Sequence, residues 1–292
     1  MILVVGAGFL GVYLIKYLSG NTDERILALS RDVSVLPVFK NTEYLNFDIL
    51  DRNDIMKLCG RCKNEPLTVF YFAALHNVDY LYEHPEEGKK VNLDALSFFL
   101  DTMPNIKKLF FASTDCVYGE NPPGTGKFKE TDNPSPINEY GRQKLEAESI
   151  VRSHCFTSVR FSYMLGKSLL QRKHFYDKIY EKLSEGQNID MIDGMIRSAL
   201  SYETAAELLA KLSFLPEEVL PDVVNLCSDG EYTKYDLGRL IAEKHGFSAE
   251  NVHRITEKDA ENFFKDLRAS RAVMDNTRIK TLLGIDHIWL EV

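Results

Sequence analysis

Tyr140 and Lys144 stand four residues apart in "SPINEYGRQKLEAESIV" (135–151). Apolar spacing there predicts a helix over 139–152, and residues i and i+4 share one helix face, so a phenol and an ammonium can address one ligand. A free tyrosine titrates near pH ~10. Proton exchange at neutral pH needs that value to fall, at about 1.4 kcal/mol per pH unit, and a nearby ammonium acts in that direction. Upstream, "ASTDCVYG" (112–119) follows the apolar "KKLFF" and places Thr114, Asp115 and Cys116 at a strand end. Those three side chains can make hydrogen bonds or move protons. Taken alone, Tyr-x-x-x-Lys is a common spacing, and a surface turn would explain the rest.

The elements around them argue for more. "MILVV", "RILAL", "TVFYF", "KLFFAS" and "FTSVRF" are short β-branched or aromatic runs, the pattern of buried parallel strands. Amphipathic stretches at 9–19, 51–59, 87–101 and 139–152 separate them. The alternation predicts a Rossmann-type, doubly wound parallel α/β sheet. We expect a dinucleotide-binding domain over 1–160, completed by a later segment near 195–230. Residues 161–292 then form mainly a smaller mixed α/β substrate-binding domain, with helices near 174–185, 202–213, 233–245 and 275–283. A chain of 292 residues exceeds the usual size of a single core.

The first crossover carries Gly6, Gly8 and Gly11, with Phe9 and Leu10 opening the helix. This G-x-G-x-x-G spacing allows a tight turn, close approach of the backbone to a pyrophosphate and close helix–strand packing. The helix N-terminus adds free N–H groups and partial positive charge. The second strand reports the dinucleotide. An NAD site ends it with Asp or Glu on the ribose 2′-hydroxyl, but "ILALSRD" has Ser30 there and Arg31 beside it. A guanidinium suits a 2′-phosphate that a carboxylate would repel. The pattern favours NADP(H). Asp32 keeps NAD(H) open, because it either pairs with Arg31 or is itself the acid after a register shift.

The order glycine turn, "STD" at a strand end, then Tyr-x-x-x-Lys resembles the extended short-chain dehydrogenase/reductase superfamily. The resemblance implies that Thr114 completes a catalytic triad with Tyr140 and Lys144, its hydroxyl holding a substrate oxygen beside the phenol. "FAALHNVDYLYEHPEEGKKVNLDA", "STDCVYG", "ETDNPSPINEYGRQKLEAE", "VNLCSDGEYTKYDLGRLIAE" and "RASRAVMDNTRIKTLLG" resemble the dTDP-4-dehydrorhamnose reductase family in order and spacing. That likeness implies cofactor contacts from Ala73 and Ala74, and from Asp48 and Ile49 near the adenine. Two features depart from it: Arg197 in "MIRSAL", where small residues are usual, and "RAS" at 268–270 in place of Arg-Pro.

The residues after Thr114 bear on the reaction. Sugar-nucleotide 4,6-dehydratases resemble this region but carry Thr-Asp-Glu, and here the third position is Cys116, which disfavours elimination. The GDP-fucose synthase family has a cysteine at that place and a histidine further on, which His174 matches. Cys116 and His174 would then form an epimerising acid–base pair. The alternative is a cysteine that merely fills apolar space. The resemblance therefore implies reduction of a nucleotide-linked 4-keto-6-deoxy sugar, with epimerisation, or epimerisation and reduction, as the alternative. A different class shares the fold: regulatory subunits that bind NADP(H) without turnover, such as the methionine adenosyltransferase β subunit. Cations for a substrate diphosphate are sought among Lys167, Arg172, Lys173, Arg197 and Arg268, the last two ranked first by family position; Asp115 joins them as a low-ranked substrate contact.

Composition excludes other classes. A net charge of −8 disfavours nucleic-acid binding. No run of eighteen apolar residues occurs, so no membrane span is expected. Five cysteines, without a leader, fit a reducing cytoplasm. "CGRC" (59–62) lacks a second pair and the histidines do not cluster, so no metal is expected. The resemblance leaves room for a homodimer through the helices at 87–101 and 139–152.

Overall fold

Strands β1 (Ile2–Val5), β2 (Ile26–Ser30), β4 (Leu67–Tyr71) and β6 (Thr157–Phe161) coincide with the apolar runs, as does the longer β5 (Ile106–Thr114), in the computed structural model of the protein. The structure describes residues 1–122, 124–259 and 263–292. The helices between them are α1 (Phe9–Asn21), α2 (Arg52–Cys62), α3 (Val78–Glu83), α4 (Pro85–Lys89), α5 (Ala95–Thr102) and α6 (Glu139–Ser153). A further strand, β3 (Thr42–Asn46), escaped the sequence reading. It is a half-buried edge strand that, among the described residues, pairs with β2 alone, so its sequence lacks the apolar run of the inner strands.

Beyond β6 come β7 (Tyr163–Leu165), α7 (Phe175–Ser184), β8 (Ile189–Ile192), β9 (Ile196–Arg197), β10 (Ala199–Ser201) and α8 (Tyr202–Phe214). The chain ends with β11 (Val223–Leu226), α9 (Lys234–His245), β12 (Val252–Ile255), β13 (Arg271–Ala272) and α10 (Thr277–Leu283). Seven strands form one parallel sheet in the order β11-β6-β5-β4-β1-β2-β3. The outermost, β11, returns from late in the sequence to pair with β6.

Alternation along β1 explains why every residue there is apolar. Ile2 and Val4 face a core shared with α1 and α8, while Leu3 and Val5 face one shared with α2, α5 and α6. Both faces are covered, so neither parity can be polar. Each such side chain contributes roughly 1.5–3 kcal/mol by leaving water. A separate core gathers Tyr176, Ile179, Met191, Leu237 and Val252 from α7, β8, α9 and β12.

The expected helix over 87–101 is not continuous. A π-helical turn at Lys90–Asp94 joins α4 to α5. Its Asn92 is buried, accepts from Leu75 N at 2.9 Å and donates to Leu75 O at 3.0 Å and to Gln143 Oε1 at 2.9 Å. This one amide ties the loop after β4 to α6.

Candidate functional site

The carboxyl ends of β1, β2, β4 and β5 open onto a cleft of about 1110 Å³. Gly6 leaves β1 at φ +97°, a conformation that favours glycine, and a Cβ there would meet Ala73 N at 2.7 Å. A Cβ on Gly11 would meet Gly6 O at 2.6 Å, so the third glycine lets α1 pack on the turn. Gly8 differs: a Cβ there meets nothing within 4 Å. It is also the N-cap of α1 with no side-chain cap. Phe9 and Leu10 follow along the same wall.

Ser30 and Arg31 line the cleft where β2 ends, with Arg31 exposed. Asp32 lines the cleft beside them. Its carboxylate accepts from Ser34 N at 2.9 Å and Ser34 Oγ at 2.6 Å, closing a turn. Asp48, Ile49, Ala73 and Ala74 line the same cleft.

Thr114, Tyr140 and Lys144 converge on its inner wall. Asn138 caps α6 by accepting from Gly141 N at 2.8 Å, which starts the helix just before Tyr140. A Cβ on Gly141 would run into Cys116 O, so the glycine lets α6 close on the turn after β5. Lys144 is 2% exposed; its Nζ donates to Ala112 O at 2.7 Å and lies 5.9 Å from the centre of the Tyr140 ring. Burial brings Lys144 down to about 7, with Glu148 pulling it back up.

The phenol moves opposite to the sequence expectation. Burial, then the neighbouring Cys116 and Asp115, hold Tyr140 above its ordinary range, and hydrogen bonding to Thr114 pulls only weakly the other way. Tyr140 is half-buried at the cleft wall, so water tempers this rise. The direction is clear: the protein's own groups keep Tyr140 protonated. Thr114 Oγ1 donates to Asp115 Oδ1 at 2.9 Å and accepts from Cys116 N at 3.2 Å. Burial raises the Asp115 carboxyl, opposed by Arg197, whose Nε is 3.9 Å away. Cys116 is pushed up to about 12 by burial and by Asp115.

The remaining candidates divide. His174 lines the cleft beside the glycine turn, its ring 4.5 Å from Phe9, its Nδ1 3.5 Å from Tyr202 Oη, and burial lowers its pKa. Arg172 lies over Phe9. Lys167 and Lys173 are not on the cleft wall, and Lys173 pairs with Glu181 at 2.5 Å. Arg197 and Arg268 do line it, yet Arg268 Nη2 already donates to Asp79 at 3.0 Å. Sequence reading passed over Lys234. It lines the cleft with Nζ 5.3 Å from the Phe264 ring, and burial, then Arg268 and Arg197, lower its pKa. No signal in "EYTKYDL" marks it, since its neighbours there come from distant segments.

All five cysteines are free, Cys59 and Cys62 among them. Among the described residues no group of three or more His, Cys, Asp and Glu could hold a metal, and no helix is long and apolar enough to cross a membrane.

The sheet order and the glycine turn at its first crossover define a Rossmann-type fold of the short-chain dehydrogenase/reductase superfamily. Within it the chain belongs to the RmlD substrate-binding-domain family, whose model matches residues 1–290. The low-salt glycan biosynthesis protein Agl12 of Haloferax volcanii is 30% identical over 302 residues, covering 97% of this chain and 92% of that protein. Methionine adenosyltransferase 2 subunit beta of Danio rerio is 24% identical over 202 residues, 67% of this chain. The match spans 61% of the length of that β subunit, and 65% of the one from Bos taurus. Among solved structures, a hypothetical dTDP-4-dehydrorhamnose reductase from Sulfolobus tokodaii superposes with a TM-score of 0.80 at 23% identity, covering 99% of this chain and 97% of that one. UDP-glucuronic acid 4-epimerase from Bacillus cereus, in complex with UDP-glucuronic acid and NAD, gives 0.82 at 18% identity, covering 99% and 94%. At these identities the two structures share the fold.

Proposed function

We propose that this chain is an NADPH-dependent reductase of a nucleotide-linked 4-keto-6-deoxy sugar. One observation carries the reading: Thr114, Tyr140 and Lys144 line the same cleft as the glycine turn and Arg31. The residues present fit a phosphorylated dinucleotide. Gly8 leaves open space above an uncapped helix start, and Arg31 is exposed, with one oxygen of the neighbouring Asp32 engaged by Ser34. Gly6 to Gly11 would hold the pyrophosphate, Arg31 the 2′-phosphate, and Ala73, Ala74, Asp48 and Ile49 the flanks of the adenosine. NADPH, when bound, supplies a hydride to a carbonyl carbon.

The chain's own groups do the rest. Tyr140, held protonated, gives its phenolic proton to the oxygen of that carbonyl, so that ketone, hydride and proton balance as an alcohol. Thr114 hydrogen-bonds the same oxygen. Lys144 bonds the ribose and, as an ammonium, favours the phenolate left after transfer. Lys234, with Arg197 and Arg268, faces the substrate diphosphate.

The epimerising alternative has less support. A thiol pushed up to about 12 can act as the acid of such a pair but not as its base, and the His174 ring packs on Phe9. The regulatory reading rests on the likeness to β subunits of methionine adenosyltransferase. NADPH consumption, followed with a panel of dTDP-, UDP-, GDP- and CDP-linked 4-keto-6-deoxy sugars, tests all three. Oxidation with at least one sugar and its loss in Tyr140→Phe support the reductase. NADPH binding with no turnover across the panel supports a binder. Solvent deuterium at C3 or C5 of the product, lost in Cys116→Ser, supports epimerisation.

A further inference from the structure

Glu148 lies one helical turn beyond Lys144 on the same face of α6, and it is 5% exposed. Its Oε1 accepts from Ser113 Oγ at 2.5 Å and from Arg160 Nε at 2.8 Å, and its Oε2 accepts from Arg160 Nη2 at 2.6 Å. Arg160 is buried too, lies 4.6 Å from the Tyr118 ring, and has an Nη1 with no partner among the described residues. A buried pair of this kind is costly to desolvate and often no more stabilising than apolar residues of similar volume. Stability alone is a poor account of it.

Its location offers a better one. Ala112, which receives the Lys144 ammonium, and Ser113, which donates to Glu148, are consecutive in β5, and Thr114 is next. Two successive turns of α6 are thus bonded to two successive residues of the strand that ends in the catalytic hydroxyl. We propose that Glu148 is a positioning residue: with Ser113 and Arg160 it locks the Tyr140–Lys144 face of α6 onto the end of β5 and supplies the counter-charge of the Lys144 ammonium.

The groups facing that ammonium are few. Tyr140 and Glu148 come from α6, the Phe111 ring and the Ala112 carbonyl from β5, and His76 from the loop after β4. Glu148 is the carboxylate among them, and it opposes the burial that lowers Lys144. The consequence for catalysis rests on the reductase reading; the link between Glu148 and Lys144 does not.

Urea unfolding of the full chain between pH 5 and 9 tests that link without any dinucleotide, so its failure is distinct from a failure of the reductase reading. Stability should rise with pH above the folded-state pKa of Lys144, because the unfolded chain then binds more protons. The rise that is absent in Lys144→Met belongs to this residue. Glu148→Gln alone strands the Arg160 charge, so the decisive variant is Glu148→Gln/Arg160→Met, which removes both charges. Its Lys144-linked rise should begin about one pH unit lower than in the parent, the usual scale for losing an adjacent opposite charge. Glu148→Asp with Arg160 intact should restore part of the difference. A merely structural pair would change stability by the same amount at every pH. An unshifted onset in the double variant overturns the proposal.

Discussion

The ammonium of Lys144 donates to the carbonyl of Ala112 at 2.7 Å, which sets the cation against the end of β5 and beneath the Tyr140 ring. A buried lysine held at about 7 is charged at a cost in the folded protein. Between its ordinary 10.5 and about 7 that cost is about 5 kcal/mol. Replacing it by Met relieves the cost but removes the hydrogen bond to the Ala112 carbonyl, about 1.5–3 kcal/mol the other way. Lys144→Met should therefore be more stable than the parent by about 3 kcal/mol at pH 6. The advantage should shrink above pH 7, where the folded parent sheds the proton and the unfolded chain keeps it until about 10. Urea unfolding at pH 6 and 9 measures both. NADPH oxidation should be lost at either pH.

The second and third glycines of the turn separate binding from folding. Gly11→Ala drives a methyl into the Gly6 carbonyl, and overpacking of that kind costs about 1–3 kcal/mol, so its melting temperature should fall. Gly8→Ala meets nothing and should melt like the parent. Yet it places a methyl where a phosphate must approach the backbone, and NADPH affinity should drop at least about tenfold, equal to 1.4 kcal/mol. Thermal melts and NADPH fluorescence titration of both variants distinguish the roles. Equal binding by Gly8→Ala and the parent would remove the phosphate from this turn.

What the sequence disclosed was local. Gly6, Gly8 and Gly11 act within one turn, and Tyr140 and Lys144 within one helix, so spacing alone revealed them. The apolar inner strands were legible because burial on both faces leaves no other composition open. β3 was not, since an edge strand alternates. The π-helical turn around Asn92 was invisible, and the partners of its amide, Leu75 and Gln143, are distant in sequence. The Tyr140 shift was misjudged for a related reason: spacing names Lys144, whereas burial dominates and Asp115 and Cys116 arrive from the turn after β5. Partners of the cations were hidden too. Arg268 meets Asp79 across 189 residues of chain.

Arg31 should decide the choice of dinucleotide. It is exposed at the end of β2, on the cleft wall, and one oxygen of the acid beside it is bonded by Ser34. A hydrogen bond to a charged group contributes about 1.5–3 kcal/mol, so Arg31→Ala should weaken NADPH about 10- to 100-fold. NADH, which lacks the 2′-phosphate, should bind as before. Titration of both dinucleotides into both proteins gives the ratio. A ratio unchanged by the substitution would move the 2′-phosphate elsewhere or make NAD(H) the natural ligand.

Lys234 should anchor the substrate, ahead of the two arginines the sequence singled out. Arg197 lies against Asp115 and Arg268 against Asp79, so each already has a carboxylate. Lys234 has none within salt-bridge distance among the described residues, and both arginines repel it. An anion would relieve that repulsion and find a cation not yet neutralised. Lys234→Met should therefore raise KM for the nucleotide sugar at least about tenfold through loss of one charge-assisted contact. NADPH affinity should stay the same, and Lys234→Arg should recover part of the loss. Because burial lowers its pKa, substrate affinity in the parent should also fade with rising pH earlier than an ordinary lysine would allow. Lys244→Met, on an exposed turn of α9, serves as the control for net charge. Calorimetric titration of dTDP and UDP into NADP-saturated protein reads the same contact without turnover; equal affinity in Lys234→Met and the parent would return the diphosphate to Arg197 and Arg268.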